Sequence, residues 1–163
     1  MLKSLSKIRK FLWFALILFF FACKDDYDNV PVVPVDIRIN LSLMQNLQPG
    51  QIATIRSNGK DGGLVVFNKN LSVNINDRVW GNGLYLYRVS FETYEAYDRT
   101  CTYQPVERYC ATSYSQDSVL AICPCCKSTY YIENGGLRFT GPAPFDLRPL
   151  KARVDYGVLH ITN

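Results

Sequence analysis

Val35, Ile37, Ile39, Leu41 and Leu43 alternate with Asp36, Arg38, Asn40 and Ser42. Strand side chains point to opposite faces in turn, so this period of two predicts a half-buried strand over 35–43. The same patterning predicts further short strands over 51–56, 63–67, 71–75, 84–89, 93–98, 113–122, 129–132, 137–140, 152–155 and 158–162. Between them stand Pro49-Gly50, Asn58-Gly59, Asp61-Gly62-Gly63, Gly81-Asn82-Gly83, Asn134-Gly135-Gly136 and Tyr156-Gly157. Gly and Asn tolerate the positive φ that tight turns demand, and Asn134-Gly135 gives the clearest hairpin signal. No stretch past Cys23 keeps an apolar spacing of three and four. The predicted fold class is therefore all-β, an antiparallel sandwich or barrel. Eleven tyrosines and nine phenylalanines suit such strands and read as core or sheet-surface packing.

The amino terminus departs from this pattern. Lys3, Lys7, Arg9 and Lys10 precede an unbroken apolar run over 11–22, and Cys23 follows the small residue Ala22. That order is a secretory signal: basic residues, a short apolar segment, then a small-residue cleavage site. A spanning helix needs about 20 apolar residues, more than this run supplies. The cysteine after Phe20-Phe21-Ala22 resembles the lipobox of bacterial lipoproteins, which implies an acylated Cys23 as the first mature residue. Lys24-Asp25-Asp26 resembles the tag that sends some such proteins to the outer face of the outer membrane. The expected organisation is a signal peptide over 1–22, a lipidated tether over 23–34 and a β domain over 35–163. The expected location is the bacterial outer membrane, with the lipid as the membrane contact.

Removal of the signal takes away four basic residues and no acidic ones, leaving fourteen of each. A near-neutral mature chain lacks the basic surface that a nucleic-acid partner requires. Five cysteines remain: Cys101, Cys110, Cys123, Cys125 and Cys126. Export places them where disulfides form and persist. Two bridges and a leftover thiol can be drawn in fifteen ways, which spacing alone leaves open.

Around those cysteines lies a resemblance carried by several segments in order. Gly83-Leu84-Tyr85-Leu86-Tyr87-Arg88-Val89, then Cys101-Thr102-Tyr103-Gln104-Pro105, then Cys123-Pro124-Cys125-Cys126-Lys127-Ser128, then Gly141-Pro142-Ala143-Pro144 resemble the Rieske [2Fe-2S] domain. These correspond to the run into its first ligand loop, its two ligand loops and its proline loop. More narrowly, the chain is similar to Bacteroidota envelope lipoproteins that lack the ligand histidines. The resemblance implies an antiparallel Rieske-like β fold with a small two-loop subdomain. It sets Cys101 and Cys123 at the thiolate positions and Tyr103 and Cys126 at the histidine positions. A Rieske centre needs two imidazoles on one iron, and this chain holds a single histidine, His160, in a terminal strand pattern. Lys127 also replaces a glycine of the second loop.

The resemblance places Cys110 and Cys125 near a loop-to-loop disulfide. Cys101 then faces Cys123 and Cys126, and the histidine-lacking relatives favour a second bridge between Cys101 and Cys126. Each bridge would contribute about 3 kcal/mol by loop entropy. The expected function is a lipid-anchored, disulfide-stapled structural or binding module of the envelope with an unidentified protein partner, no cofactor, no metal and no catalytic residue. The alternative is electron transfer through a non-standard [2Fe-2S] cluster held by Cys101, Cys123 and Cys126 with a fourth ligand. Zinc on the same thiols is a further alternative. So is thiol-disulfide exchange at the Cys-x-x-Cys pair formed by Cys123 and Cys126, although that motif usually sits in a different, helix-leading context.

Overall fold

The computed structural model describes residues 29–57, 64–66, 69–71, 78–79, 81–114 and 118–163. The expected leader, Cys23, the start of the tether, the turns within 58–63 and most of the strand expected over 71–75 lie outside the described residues. The described chain is antiparallel β almost throughout. Its strands are β1 (Val35–Asn40), β2 (Ile52–Ser57), β3 (Leu64–Val66), β4 (Lys69–Leu71), β5 (Arg78–Val79), β6 (Leu84–Arg88) and β7 (Tyr94–Asp98). After the single helical turn α1 (Pro105–Arg108) come β8 (Ser113–Tyr114), β9 (Ala121–Ile122), β10 (Thr129–Tyr131), β11 (Leu137–Thr140), β12 (Pro149–Asp155) and β13 (Val158–Thr162). No described helix is long and apolar enough to cross a membrane.

Nine strands form one sheet in the order β4-β3-β2-β6-β7-β12-β13-β1-β5. The sheet curls, so that β5 at its far end returns beside β2. The remaining four form a small sheet, β11-β10-β9-β8, which carries the cysteine loops. The all-β architecture is the fold class expected from the period-two patterning, and the small second sheet beside the large one is the two-part arrangement that the resemblance implied.

Alternation decides what each face of the large sheet meets. In β1 the side chains run buried, exposed, buried, exposed, which turns Val35, Ile37 and Ile39 inward. In β6 both faces are covered: Leu84 and Leu86 join the aliphatic core with Ile37, Ile39, Ile55, Leu159 and Ile161, while Tyr85 joins Tyr97, Tyr130, Ile132 and Leu147 on the other side. The Leu-Tyr-Leu-Tyr run is thus a strand between two cores. Its leucines fill the curled sheet. Its tyrosines receive the small sheet.

Three elements differ from the sequence expectation. The strand predicted over 35–43 stops at Asn40, whose side chain accepts a hydrogen bond from the Ser42 N–H at 2.9 Å and starts a 3-10 turn over Leu41–Met44. A short polar side chain that bonds the backbone two residues on competes with the sheet ladder. The strand predicted over 113–122 is two strands, β8 and β9, paired with each other. Ser118 turns the chain there, its hydroxyl accepting from the Leu120 N–H and donating to the Leu120 carbonyl. Finally, the tether is not wholly detached, since Val30 is buried and Arg148 donates to its carbonyl.

Candidate functional site

The site forms where two loops of the small subdomain meet against β6 and β7. The first loop leaves β7, and its return is fixed by Cys101 N–H donating to the Cys110 carbonyl at 2.8 Å and by a Thr100–Ala111 bridge. Between them, Pro105 occupies the first turn of α1, where its missing N–H costs nothing. The second loop closes on itself: Lys127 N–H donates to the Cys123 carbonyl and Cys123 N–H to the Ser128 carbonyl. That closure places Lys127 at φ 63, in the left-handed region that favours glycine.

Cys110 and Cys125 join the two loops as a disulfide with Cα atoms 6.4 Å apart. Cys101 and Cys126, the pair expected to form a second bridge, have their sulfurs side by side as thiols. Cys101, Cys123 and Cys126 are free thiols, and Cys101 Sγ stands 3.5 Å from Cys126 Sγ. All three sulfurs lie within 4.8 Å of one another. Cys123, the third free thiol, belongs to the same cluster.

Neutral donors surround the sulfurs. The Tyr130 hydroxyl lies 3.3 Å from Cys101 Sγ and 3.3 Å from Thr102 Oγ1, and it accepts from the Thr102 N–H at 3.4 Å. Thr102 Oγ1 donates in turn to the Phe145 carbonyl at 2.7 Å. Cys126 Sγ donates to Ser128 Oγ at 3.1 Å, and the Ala143 N–H donates to the same oxygen at 3.0 Å. Through Ser128 and Phe145 the proline loop is tied to both cysteine loops. Gly141 makes that approach possible: it has φ 99, and a Cβ there would lie 2.5 Å from Ser128 Cα.

The two interacting thiols differ in acidity. Burial pushes Cys101 up to about 12; hydrogen bonds from the Tyr130 hydroxyl and the Tyr103 N–H pull the other way without offsetting it. Burial also acts to raise Cys126, but there the Ser128 hydroxyl and amide, with the neighbouring thiols, outweigh it and hold the group below its ordinary value. Burial and the bond to Cys101 raise Tyr130, which keeps its phenol protonated and able to donate.

Tyr103, expected at a former histidine position, presents its backbone N–H to the Cys101 sulfur, while its ring lies under the Arg108 guanidinium at 5.6 Å. His160 lies in β13 opposite Arg38 and Arg153, in the large sheet. Thr102, Ser128 and Tyr130 were not anticipated as site residues. For Tyr130 the signal was the strand alternation after Ser128, which turns it inward. Thr102, a buried hydroxyl beside a buried cysteine, had no signal in spacing.

A [2Fe-2S] cluster, the group implied by the resemblance, takes two donors on each of two irons. This donor set does not fit it. Cys110 and Cys125 are spent on each other, the one imidazole is in the large sheet, and the three remaining sulfurs lie within 4.8 Å of one another where a two-iron cluster needs ligands parted to its two ends.

No family model and no curated protein matches the chain. Among solved structures it is similar to the complex of reduced oxygenase and oxidized ferredoxin in carbazole 1,9a-dioxygenase, at TM-score 0.40 and 17% identity over 80% of this chain and 91% of that one. It is also similar to the ferredoxin of carbazole 1,9a-dioxygenase from Nocardioides aromaticivorans IC177, at TM-score 0.39 and 14% identity over 80% of this chain and 97% of that one.

Proposed function

We propose that this chain is a lipid-anchored protein of the bacterial outer membrane whose Rieske-like domain has given up its histidine ligands and acts as a structural or binding module toward an envelope protein. The observation that carries the reading is the donor set: five cysteines and no imidazole at the loop tips, two of the cysteines joined as Cys110–Cys125. The bridge takes over the loop-pinning that a cluster would supply. Hydrolytic and acid-base catalysis find no support, since the thiol cluster is mostly enclosed and His160 stands between two arginine positions in another sheet.

Two measurements test this. Anaerobic purification from membranes, followed by iron, acid-labile sulfide and visible-spectrum analysis, should give no stoichiometric [2Fe-2S] signal; two irons and two sulfides per chain would refute the reading. Mass analysis of the mature amino terminus should find Cys23 acylated, and Cys23→Ser should release the chain from the membrane fraction.

A further inference from the structure

The thiol cluster has a geometry of its own. Cys101 and Cys123 are each 1% exposed, and Cys126 is half-buried and gives the route in from solvent. Metal-thiolate bonds to zinc are about 2.3 Å, so sulfurs around one tetrahedral or trigonal ion stand about 3.8–4.0 Å apart. The 3.5 Å separation of Cys101 and Cys126, within a trio spanning no more than 4.8 Å, brackets that edge. Thiolate donors select soft filled-shell ions.

We propose that Cys101, Cys123 and Cys126 bind one thiophilic filled-shell cation, Zn(II) or Cu(I), between the two loops. This deepens the binding-module reading above by naming a ligand for its loop tips. The surroundings suit it. A three-thiolate site carries excess negative charge; the Tyr130 hydroxyl, the Tyr103 N–H and the Ser128 N–H are placed to donate to its sulfurs, and the Ser128 hydroxyl, which accepts from the Cys126 thiol, can turn to donate once that sulfur is ionised. Such supporting donors orient metal ligands and temper their charge. Cys110–Cys125 holds the two loops at the correct distance before the ion arrives, so little ordering remains to be done on binding. In an oxidising compartment an occupied site also keeps neighbouring thiols from pairing.

The test uses the full chain, expressed with its leader and purified from membranes in detergent. Metal content is measured first. After chelation, the chain is titrated with buffered Zn(II) and, anaerobically, with Cu(I). The expected result is one equivalent per chain, with all three thiols alkylated by iodoacetamide in the metal-free form on prolonged exposure at alkaline pH, Cys126 fastest and Cys101 slowest, and protected together on loading. The ion bound as purified distinguishes the two metals. Cys123→Ser should weaken binding by more than the roughly 100-fold that loss of a supporting partner costs, and Tyr130→Phe by about 10-fold. Retention of the Cys110–Cys125 bridge in each variant reports that the loops still form; should a variant lose it, the thiol-protection result on the unaltered chain decides alone.

Protection of fewer than three thiols, or binding unaffected by Cys123→Ser, would overturn the inference. So would a Cys101–Cys126 or Cys101–Cys123 bridge in protein from the envelope. An acylated chain with bridged thiols and no cluster would remove this inference and leave the functional reading standing. A chain with one ion on three thiols but no acyl group would do the reverse.

Discussion

The two cores of this protein are built on different physics. The curled sheet closes on Ile37, Ile39, Ile55, Leu84, Leu86, Leu159 and Ile161, all buried aliphatics. The small subdomain has fewer apolar residues to bury and relies on Tyr85, Tyr97 and Tyr130 with Cys101 and Cys123. Its buried polar residues include Thr100, Thr102, Thr112 and Ser128. A small sheet encloses too little apolar surface to hold itself together by that means alone. Cross-links and satisfied buried hydrogen bonds supply the rest. The contrast implies that the large sheet sets global stability and the subdomain sets local geometry.

The largest effect should come from the large core. Leu86→Ala removes a fully buried side chain between facing strands and should cost about 3 kcal/mol, lowering the denaturant midpoint of the whole domain. If the loss appeared only in the subdomain, the two regions would not divide as described. Replacing Cys110 and Cys125 by serine should cost a similar or slightly smaller amount, about 3 kcal/mol for a loop of this length, but confined in space. Hydrogen exchange would read it: amides of the second cysteine loop and β10 should lose protection while those of β1 keep theirs.

Gly141→Ala sharpens the contrast further. The new Cβ would meet Ser128 at 2.5 Å in a backbone with φ 99, so a cost of about 2 kcal/mol is expected, seen as loosening of the proline loop. Lys127→Gly should act in the opposite direction. It relieves a side chain at φ 63 and should stabilise the loop by up to about 1 kcal/mol, offset in part by added freedom in the unfolded chain.

The smallest perturbation is a change of pH on the metal-free chain. The fold favours protonated Cys101, whose value is raised to about 12, so that contribution is complete below the ordinary thiol value of 9.0 and is lost as pH rises toward about 12. It favours ionised Cys126, whose value is lowered, so that contribution is present above the ordinary value and is lost as pH falls through the lowered one. Mapped alkylation over a pH series should modify Cys126 first and Cys101 last. The reverse order would show that burial does not govern the pair.

Much of this was legible from residue order. Residue order located β1, β2, β6, β7, β11 and β13, and in β1 and β13, which have one dry face, burial alternates as the period-two pattern requires. What alternation misses is a side chain that bonds its own backbone, and Asn40 and Ser118 are where predicted strands ended early. Nor does it find strands of two residues such as β5, or a four-residue turn such as α1. At the site, the cysteines were visible as a set, but which of them meet is a property of loop closure. The 2.9 Å bond from Lys127 N–H to the Cys123 carbonyl and the Gly141 approach to Ser128 are long-range or conformational facts that no spacing encodes.

One modest contact reaches furthest. Asn29, at the start of the described chain, donates to the Thr102 carbonyl at 2.7 Å, beside Cys101. From Cys23 to Asn29 is six residue steps, each at most about 3.5 Å, so an acyl group on Cys23 would hold this end of the domain within roughly 20 Å of the lipid headgroups. The sulfur-bearing tip would then look toward the bilayer, and anything meeting it would arrive along the membrane plane or from within it, with the curled sheet turned away as its back.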